Sequence, residues 1–184
     1  AGSERGGDRV APGRFAAVVR ERIGRESAGE IELVSCGRAG GRQGWREAPY
    51  LDTPANLNQL KQGAVRPEGA DARFSIKILP GVCQRQAGHE DVMRGEETQI
   101  VGAMTAMNGD GITCLTGTHS KWVRVEKGRI VRFTSHMTGE ALSAVSEHTI
   151  LGRMMTDGEA KDASFITGRP TEGPTIRSVP RRPP

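Results

Sequence analysis

At 184 residues the chain has room for one ordinary domain or parts of two. Apolar residues make up 35% and aromatics only 4%, with 25 glycines, so large side chains to fill a core are scarce. The formal net charge of +4 is spread among acids apart from Arg177, Arg181 and Arg182, which gives no basic, aromatic-interleaved face for nucleic acid. No apolar run approaches bilayer-spanning length, and the four histidines are too scattered to form a metal site by spacing. Cys36, Cys83 and Cys114 form no Cys-x-x-Cys pair. An odd cysteine count without a secretory signal predicts a reducing cytoplasm, and Cys36 and Cys114, at the ends of apolar runs, are expected to act as small hydrophobes.

Residues 1–13 are rich in glycine and charge. Phe15, Val18, Val19 and Ile23 recur at helical spacing and predict an amphipathic helix over 13–26. Ile31–Cys36 is expected to be a short buried strand ended by Gly37, with another strand after the Arg42-Gln43-Gly44-Trp45 segment. Residues 52–71 suggest loop and helix fragments, and Phe74–Leu79 a strand closed by Pro80-Gly81. Asp91–Met107 is expected to be one helix with Met93, Ile100, Met104 and Met107 on a single face. A hairpin over 112–134 and a helix over 138–155 follow, an order that suits an α/β lobe. The ending, residues 169–184, lacks apolar periodicity and is expected to be disordered.

The hairpin carries the most specific chemistry. An apolar strand enters Gly117-Thr118-His119-Ser120-Lys121 and leaves as an alternating strand. Glycine permits close backbone approach to an anion, the hydroxyls donate hydrogen bonds, and the lysine supplies charge. An ordinary hairpin with a polar tip has the same composition, and His119 equally suits a turn bonded to backbone. In the segment from Asp91, Glu96 and Glu97 flank the apolar face, where an unpaired carboxylate tends toward a raised pKa suited to a general base. Asp91 is a rival candidate or simply a helix N-cap, and Glu96 and Glu97 could instead pair with Arg94 or Lys121. Thr138 is a natural N-cap for the following helix.

The blocks Gly41-Arg-Gln-Gly-Trp-Arg-Glu-Ala-Pro-Tyr50, Asp91-Val-Met-Arg-Gly-Glu-Glu-Thr-Gln99, Gly117-Thr-His-Ser-Lys-Trp122, Met137-Thr-Gly-Glu140 and Glu147-His-Thr-Ile-Leu151 occur in fixed order. This series closely resembles the 2-dehydro-3-deoxygalactonokinases, sugar-acid kinases of galactonate degradation, over most of residues 30–166. The resemblance implies an α/β, actin-like and ribonuclease-H-like two-lobed fold, the class of acetate and sugar kinases, Hsp70 and actin. It implies transfer of the ATP γ-phosphate, with Mg²⁺, to the 6-hydroxyl of a 2-keto-3-deoxy sugar acid. Residues 1–90 would be the remainder of the substrate-binding N-terminal lobe. Residues 91–168 would start the C-terminal lobe with its phosphate hairpin, and 169–184 would be a disordered tail.

On that resemblance Arg42 and Gln43 bind the substrate, Arg42 by a bidentate grip on its carboxylate, and Trp45 walls the sugar. Gly117, Thr118, His119, Ser120 and Lys121 hold phosphate. Glu96 or Asp91 is the catalytic base; Gly95-Glu96 resembles the Gly-Asp pair of sugar kinases, while the family's Asp-Val-Met-Arg-Gly-Glu-Glu keeps Asp91 in contention. Ser35-Cys-Gly-Arg-Ala-Gly-Gly41 departs from the family's more apolar run, and Arg38 within a strand meant for burial would disturb packing. The family's Asp-Trp-Gly-Thr type first phosphate hairpin and its adenosine segment have no counterpart, so truncation at both ends is expected, with activity in doubt. A non-catalytic remnant, completed by self-association or by a partner at open sheet edges, is the alternative. Neither nucleic acid nor membrane is an expected partner.

Overall fold

A computed structural model describes residues 14–23, 29–104, 106 and 108–154. The described residues up to Ala141 form one compact unit and those from Leu142 a second. In the first, α1 (Phe15–Ile23) and β1 (Ile31–Ser35) precede a 3₁₀ turn at Gly37–Gly40. The short strands β2 (Tyr50–Asp52) and β3 (Ala55–Asn56) lead to β4 (Phe74–Ile78), β5 (Gly81–Gln84) and β6 (Asp91–Met93). Helix α2 (Glu96–Ala103) is followed by a meander of β7 (Gly111–Leu115), β8 (Ser120–Glu126) and β9 (Arg129–His136). Helix α3 (Thr138–His148) begins in this unit, and a 3₁₀ turn at Ile150–Met154 follows it. No helix of the described residues is long and apolar enough to cross a membrane.

The described strands make three sheets. Parallel β1 and β4 pair Ile31 with Phe74 through Ser35 with Ile78. In the second sheet β5 lies between parallel β2 and antiparallel β6. The third has the order β3-β9-β8-β7. Burial explains the placement: every residue of β5 is buried, as a central strand requires, whereas β7 is an exposed edge. β8 alternates, with Val123 and Val125 inward and Trp122 and Arg124 outward. Its turn into β9 uses Lys127 and Gly128 at φ of 49° and 70°, the pair of positive angles that matches strand twist in a tight hairpin.

Two apolar cores result. Phe74, Ile76 and Ile78 of β4 pack beneath the α1 stripe of Phe15, Val19 and Ile23, as the helical spacing predicted. Val82, Met93, Ile100, Val123, Ile130 and Phe133 join the other two sheets to α2.

Several expectations change. Asp91–Met107 is not one helix: Asp91–Met93 is a strand, and α2 starts only at Glu96 because Gly95, at φ 114°, turns the chain. Met93 and Ile100 still share a core, because strand and helix deliver them to the same side. β1 is not buried on both faces; among the described residues it pairs only with β4, and Val34 is 58% exposed. Cys36 and Cys114 are exposed and Cys83 is the buried thiol, because the first two lie beyond or on the solvent side of edge strands. Arg38 does not disturb a strand, since it projects from the 3₁₀ turn into solvent. The 138–155 helix stops at His148 and gives way to the 3₁₀ turn. Residues 169–184 lie outside the described residues.

Candidate functional site

Four segments converge on one open cleft of about 460 Å³. Phe15 comes from α1, Gly37, Arg38 and Gly41–Gly44 from the turn after β1, Tyr50 from β2, and Arg94 from the β6–α2 junction. The convergence rests on a backbone crossing. Gly37 and Gly95 both have positive φ, and a Cβ on Gly95 would stand 3.2 Å from the Gly37 Cα. Only small residues let the two loops touch there, and Arg42 and Arg94 line the same cleft.

Arg42 and Gln43, the residues expected to bind substrate, are exposed and line the cleft together. Trp45 does not wall it. The indole belongs to the α1–β4 core, stacks on Phe15 with centroids 6.1 Å apart, and donates from Nε1 to the Glu68 carbonyl at 3.3 Å. Phe15 and Tyr50 are the aromatics that line the cleft, and Trp45 stacks behind Phe15. The cleft contains three arginines and no carboxylate among its lining residues, a charge balance that suits an anionic ligand.

Arg38, Tyr50 and Arg94 were not singled out as ligand residues by the sequence. The positive φ of Gly37 and Gly95, which brings Arg94 across, has no signature beyond the glycines themselves. The Arg94 guanidinium lies 4.1 Å from the Tyr50 ring centroid, and its Nη2 donates to the Ala48 carbonyl at 2.9 Å.

The carboxylates near the crossing differ sharply. Glu96 is half-buried and accepts from the Arg94 N–H at 3.0 Å. Glu97 is fully buried and accepts from the Gly95 N–H through both oxygens at 2.8 Å. Burial pushes the Glu97 carboxyl above its ordinary value, against the hydrogen bonds that favour its charged form. The raised pKa expected near the apolar face therefore belongs to Glu97, which has no access to a ligand. Neither glutamate is ion-paired with Arg94 or Lys121 among the described residues.

Asp91 is not a helix cap. Its carboxylate accepts from the Val92 N–H at 2.8 Å and from both the N–H and hydroxyl of Ser135 at 2.7 Å, tying β6 to β9. Lys121 joins this network. Its ammonium donates to the Val92 carbonyl at 2.9 Å and to the Ser135 hydroxyl, and stands 3.9 Å from Asp91. With only 6% of its surface exposed, Lys121 points inward, away from the turn where phosphate was expected. Ser120 is buried as well, bonded to the Thr138 hydroxyl at 2.5 Å.

Gly117, Thr118 and His119 form the exposed tip of the hairpin. Its carbonyls are already used: Gly117 accepts from the Gly139 N–H at 3.3 Å and Thr118 from the Glu140 N–H at 3.0 Å, so the turn caps α3 in place of the Thr138 side chain. His119 pairs with Glu140 across the same contact. None of the five hairpin residues lines the arginine cleft. Among the described residues no three His, Cys, Asp or Glu side chains are grouped as metal ligands.

Comparison with known proteins points to the same family as the motif blocks. A family model described as 2-keto-3-deoxy-galactonokinase matches residues 1–175. A protein of Rhizobium meliloti (strain 1021), named a probable 2-dehydro-3-deoxygalactonokinase, is 41% identical over 152 residues, covering 79% of this chain and 49% of its own. The 2-dehydro-3-deoxygalactonokinase of Escherichia coli (strain K12) is 32% identical over 136 residues, covering 74% and 44%. A crystal structure from Sinorhizobium meliloti, of a protein assigned as a 2-dehydro-3-deoxygalactonokinase, superposes with a TM-score of 0.74 at 38% identity, over 82% of this chain and 49% of that one. The chain thus spans about half the length of the relatives it matches. With the family model matched over residues 1–175 and a solved relative superposing at a TM-score of 0.74, the chain belongs to the 2-keto-3-deoxy-galactonokinase family.

Proposed function

We propose that this chain serves phosphoryl transfer from ATP to the 6-hydroxyl of 2-dehydro-3-deoxy-D-galactonate, in galactonate degradation. The observation that carries this reading is the cleft with three arginines and no acid, suited to a sugar acid, beside a segment that offers a carboxylate. The sugar acid lies against Arg42 and Gln43. Its 6-hydroxyl loses a proton to a carboxylate as the new O–P bond forms and the bond to ADP breaks. Glu96 is favoured as that base because it is half-buried next to Arg94, whereas Asp91 has its oxygens engaged by Ser135. The phosphates of ATP lie against the exposed hairpin tip of Gly117, Thr118 and His119, whose glycine permits close backbone approach. Ser120 and Lys121 reach phosphate only if the hairpin rearranges. Mg²⁺ would be held by the ATP phosphates, and no step here depends on a metal site of this chain.

The proposed architecture is the actin-like, ribonuclease-H-like two-lobed kinase. The proposed lobe boundary near residue 91 falls between β5 and β6, which pair through Val82 and Met93. The proposed location is the cytoplasm. A non-catalytic, partner-dependent role, including homo-oligomerisation, is the second reading. It is favoured by the open edge of β7, where Ile112 is 67% exposed.

An isotope assay of ATP-dependent phosphorylation of 2-dehydro-3-deoxygalactonate tests catalysis. Turnover that falls at least ~100-fold in Glu96→Gln but little in Asp91→Asn is expected. No turnover from folded protein would overturn the catalytic reading and leave family membership untouched.

A further inference from the structure

Arg38 and Arg42 are carried on one tightly bonded loop. The Gly41 N–H donates to the Arg38 carbonyl at 3.0 Å, and the Ala48 N–H donates to the Gly40 carbonyl at 3.0 Å. The Trp45 and Arg46 N–H groups both donate to the Ala39 carbonyl, at 2.8 and 3.2 Å. A Cβ on Gly44 would fall 2.2 Å from the Arg38 carbonyl oxygen, so the chain after Arg42 folds directly against the turn that bears Arg38. Ala39 and Gly40, between the two arginines, are buried. The backbone thus fixes the two Cα positions relative to each other, while both side chains are exposed.

Neither guanidinium has a hydrogen-bond or ion-pair partner among the described residues. Other surface arginines do: Arg46 pairs with Glu68 at 2.9 Å and Arg85 with Asp52 at 2.6 Å. Both Arg38 and Arg42 line the cleft of about 460 Å³, whose lining residues include no carboxylate. Arg94, the third cation there, already donates to the Ala48 carbonyl and the Tyr50 hydroxyl. Two like charges on one fixed loop, with no acid between them, raise the positive potential of the cleft, and a ligand with two anionic groups answers both.

We propose that Arg38 forms a second anion subsite, so that the cleft takes a dicarboxylate of sugar-acid length, one carboxylate at Arg42 and the other at Arg38. Placing the carboxylate of a sugar acid at Arg42 rests on the proposed function; the subsite at Arg38 rests on the loop and on its unpaired charge. A six-carbon aldarate carries a carboxylate where the corresponding aldonate has its 6-hydroxyl. With no hydroxyl at that carbon to receive a phosphoryl group, it occupies the cleft as a competitor of the sugar-acid substrate.

Calorimetry on the full chain with D-glucarate, D-gluconate and sorbitol tests this, because the three six-carbon polyols carry two, one and no carboxylates. Glucarate should bind ~3–10-fold tighter than gluconate, a modest factor because exposed charges are screened, and sorbitol weakest. Arg38→Ala should bring glucarate down to the level of gluconate and leave gluconate within ~2-fold. Arg129→Ala removes the same charge at an exposed position outside the cleft and should keep the preference intact. Titrating 2-dehydro-3-deoxygalactonate, alone and against glucarate, separates the two readings. If it binds while glucarate has no advantage over gluconate, the subsite is overturned and the proposed function stands. If glucarate is preferred through Arg38 while 2-dehydro-3-deoxygalactonate does not bind, the subsite stands and the sugar-acid substrate is overturned. Equal losses in Arg38→Ala and Arg129→Ala would reduce the preference to net charge and overturn the subsite. No binding of any acid at ~10 mM would overturn both.

Discussion

Glu97 shows how much a single residue's surroundings can override its type. Its carboxyl is enclosed at the start of α2, and burial raises its pKa. A folded-state pKa above the unfolded value means the protonated form stabilises the fold. This contribution is fully present below the ordinary carboxylate range and is lost as pH rises through the raised value. Glu97→Gln keeps an acceptor for the Gly95 N–H and carries no charge, so the variant should gain stability relative to wild type as pH rises from about 4 toward neutrality. Thermal melts across that range check it, and parallel curves would sink the assignment. Cysteine chemistry is similarly local. Burial, reinforced by the neighbouring Asp52 carboxylate, pushes the Cys83 thiol up, while Cys36 and Cys114 are exposed. Labelling with a disulfide reagent should therefore modify two thiols quickly and Cys83 only on unfolding.

Among the elements, the β6–α2 junction is the most informative. A helix over 91–107 was a fair expectation from the methionine spacing and the cap-like Asp91. Gly95 breaks it, and the break sets Arg94 in the cleft while Met93 and Ile100 stay in the core. Gly95→Ala would force a side chain into a φ of 114° against the Gly37 backbone. A loss of about 1–3 kcal/mol is expected in urea unfolding, because a strained backbone of this kind costs that much. The meander β7–β8–β9 was legible because alternation and the Lys127-Gly128 turn are local signals. The inward direction of Lys121 was not, because its partners Val92 and Ser135 lie on two other strands.

At the scale of the whole molecule, Phe133 joins β9 to the core that also holds residues of β3, β5, β6, β8 and α2. It is 1% exposed, and with so few aromatics in the chain nothing else can fill its volume. Phe133→Ala should cost about 3–5 kcal/mol by chemical denaturation. A loss under about 1 kcal/mol would show that this core does not hold the sheets together. The sequence by itself determined the family, the amphipathic α1, the strands β1 and β4 and the hairpin, since each is written in short-range pattern or in blocks of fixed order. It also offered Arg42 and Gln43 as substrate-binding residues, and both line the arginine cleft. The tertiary structure decided that Trp45 backs the cleft, that Asp91 and Lys121 belong to an interior network, and that Glu97 rather than Glu96 is enclosed. It also brought Arg94 across to Tyr50. These outcomes depend on which distant segments meet, and burial and hydrogen-bond partners are properties of that meeting, not of any residue's place in the chain.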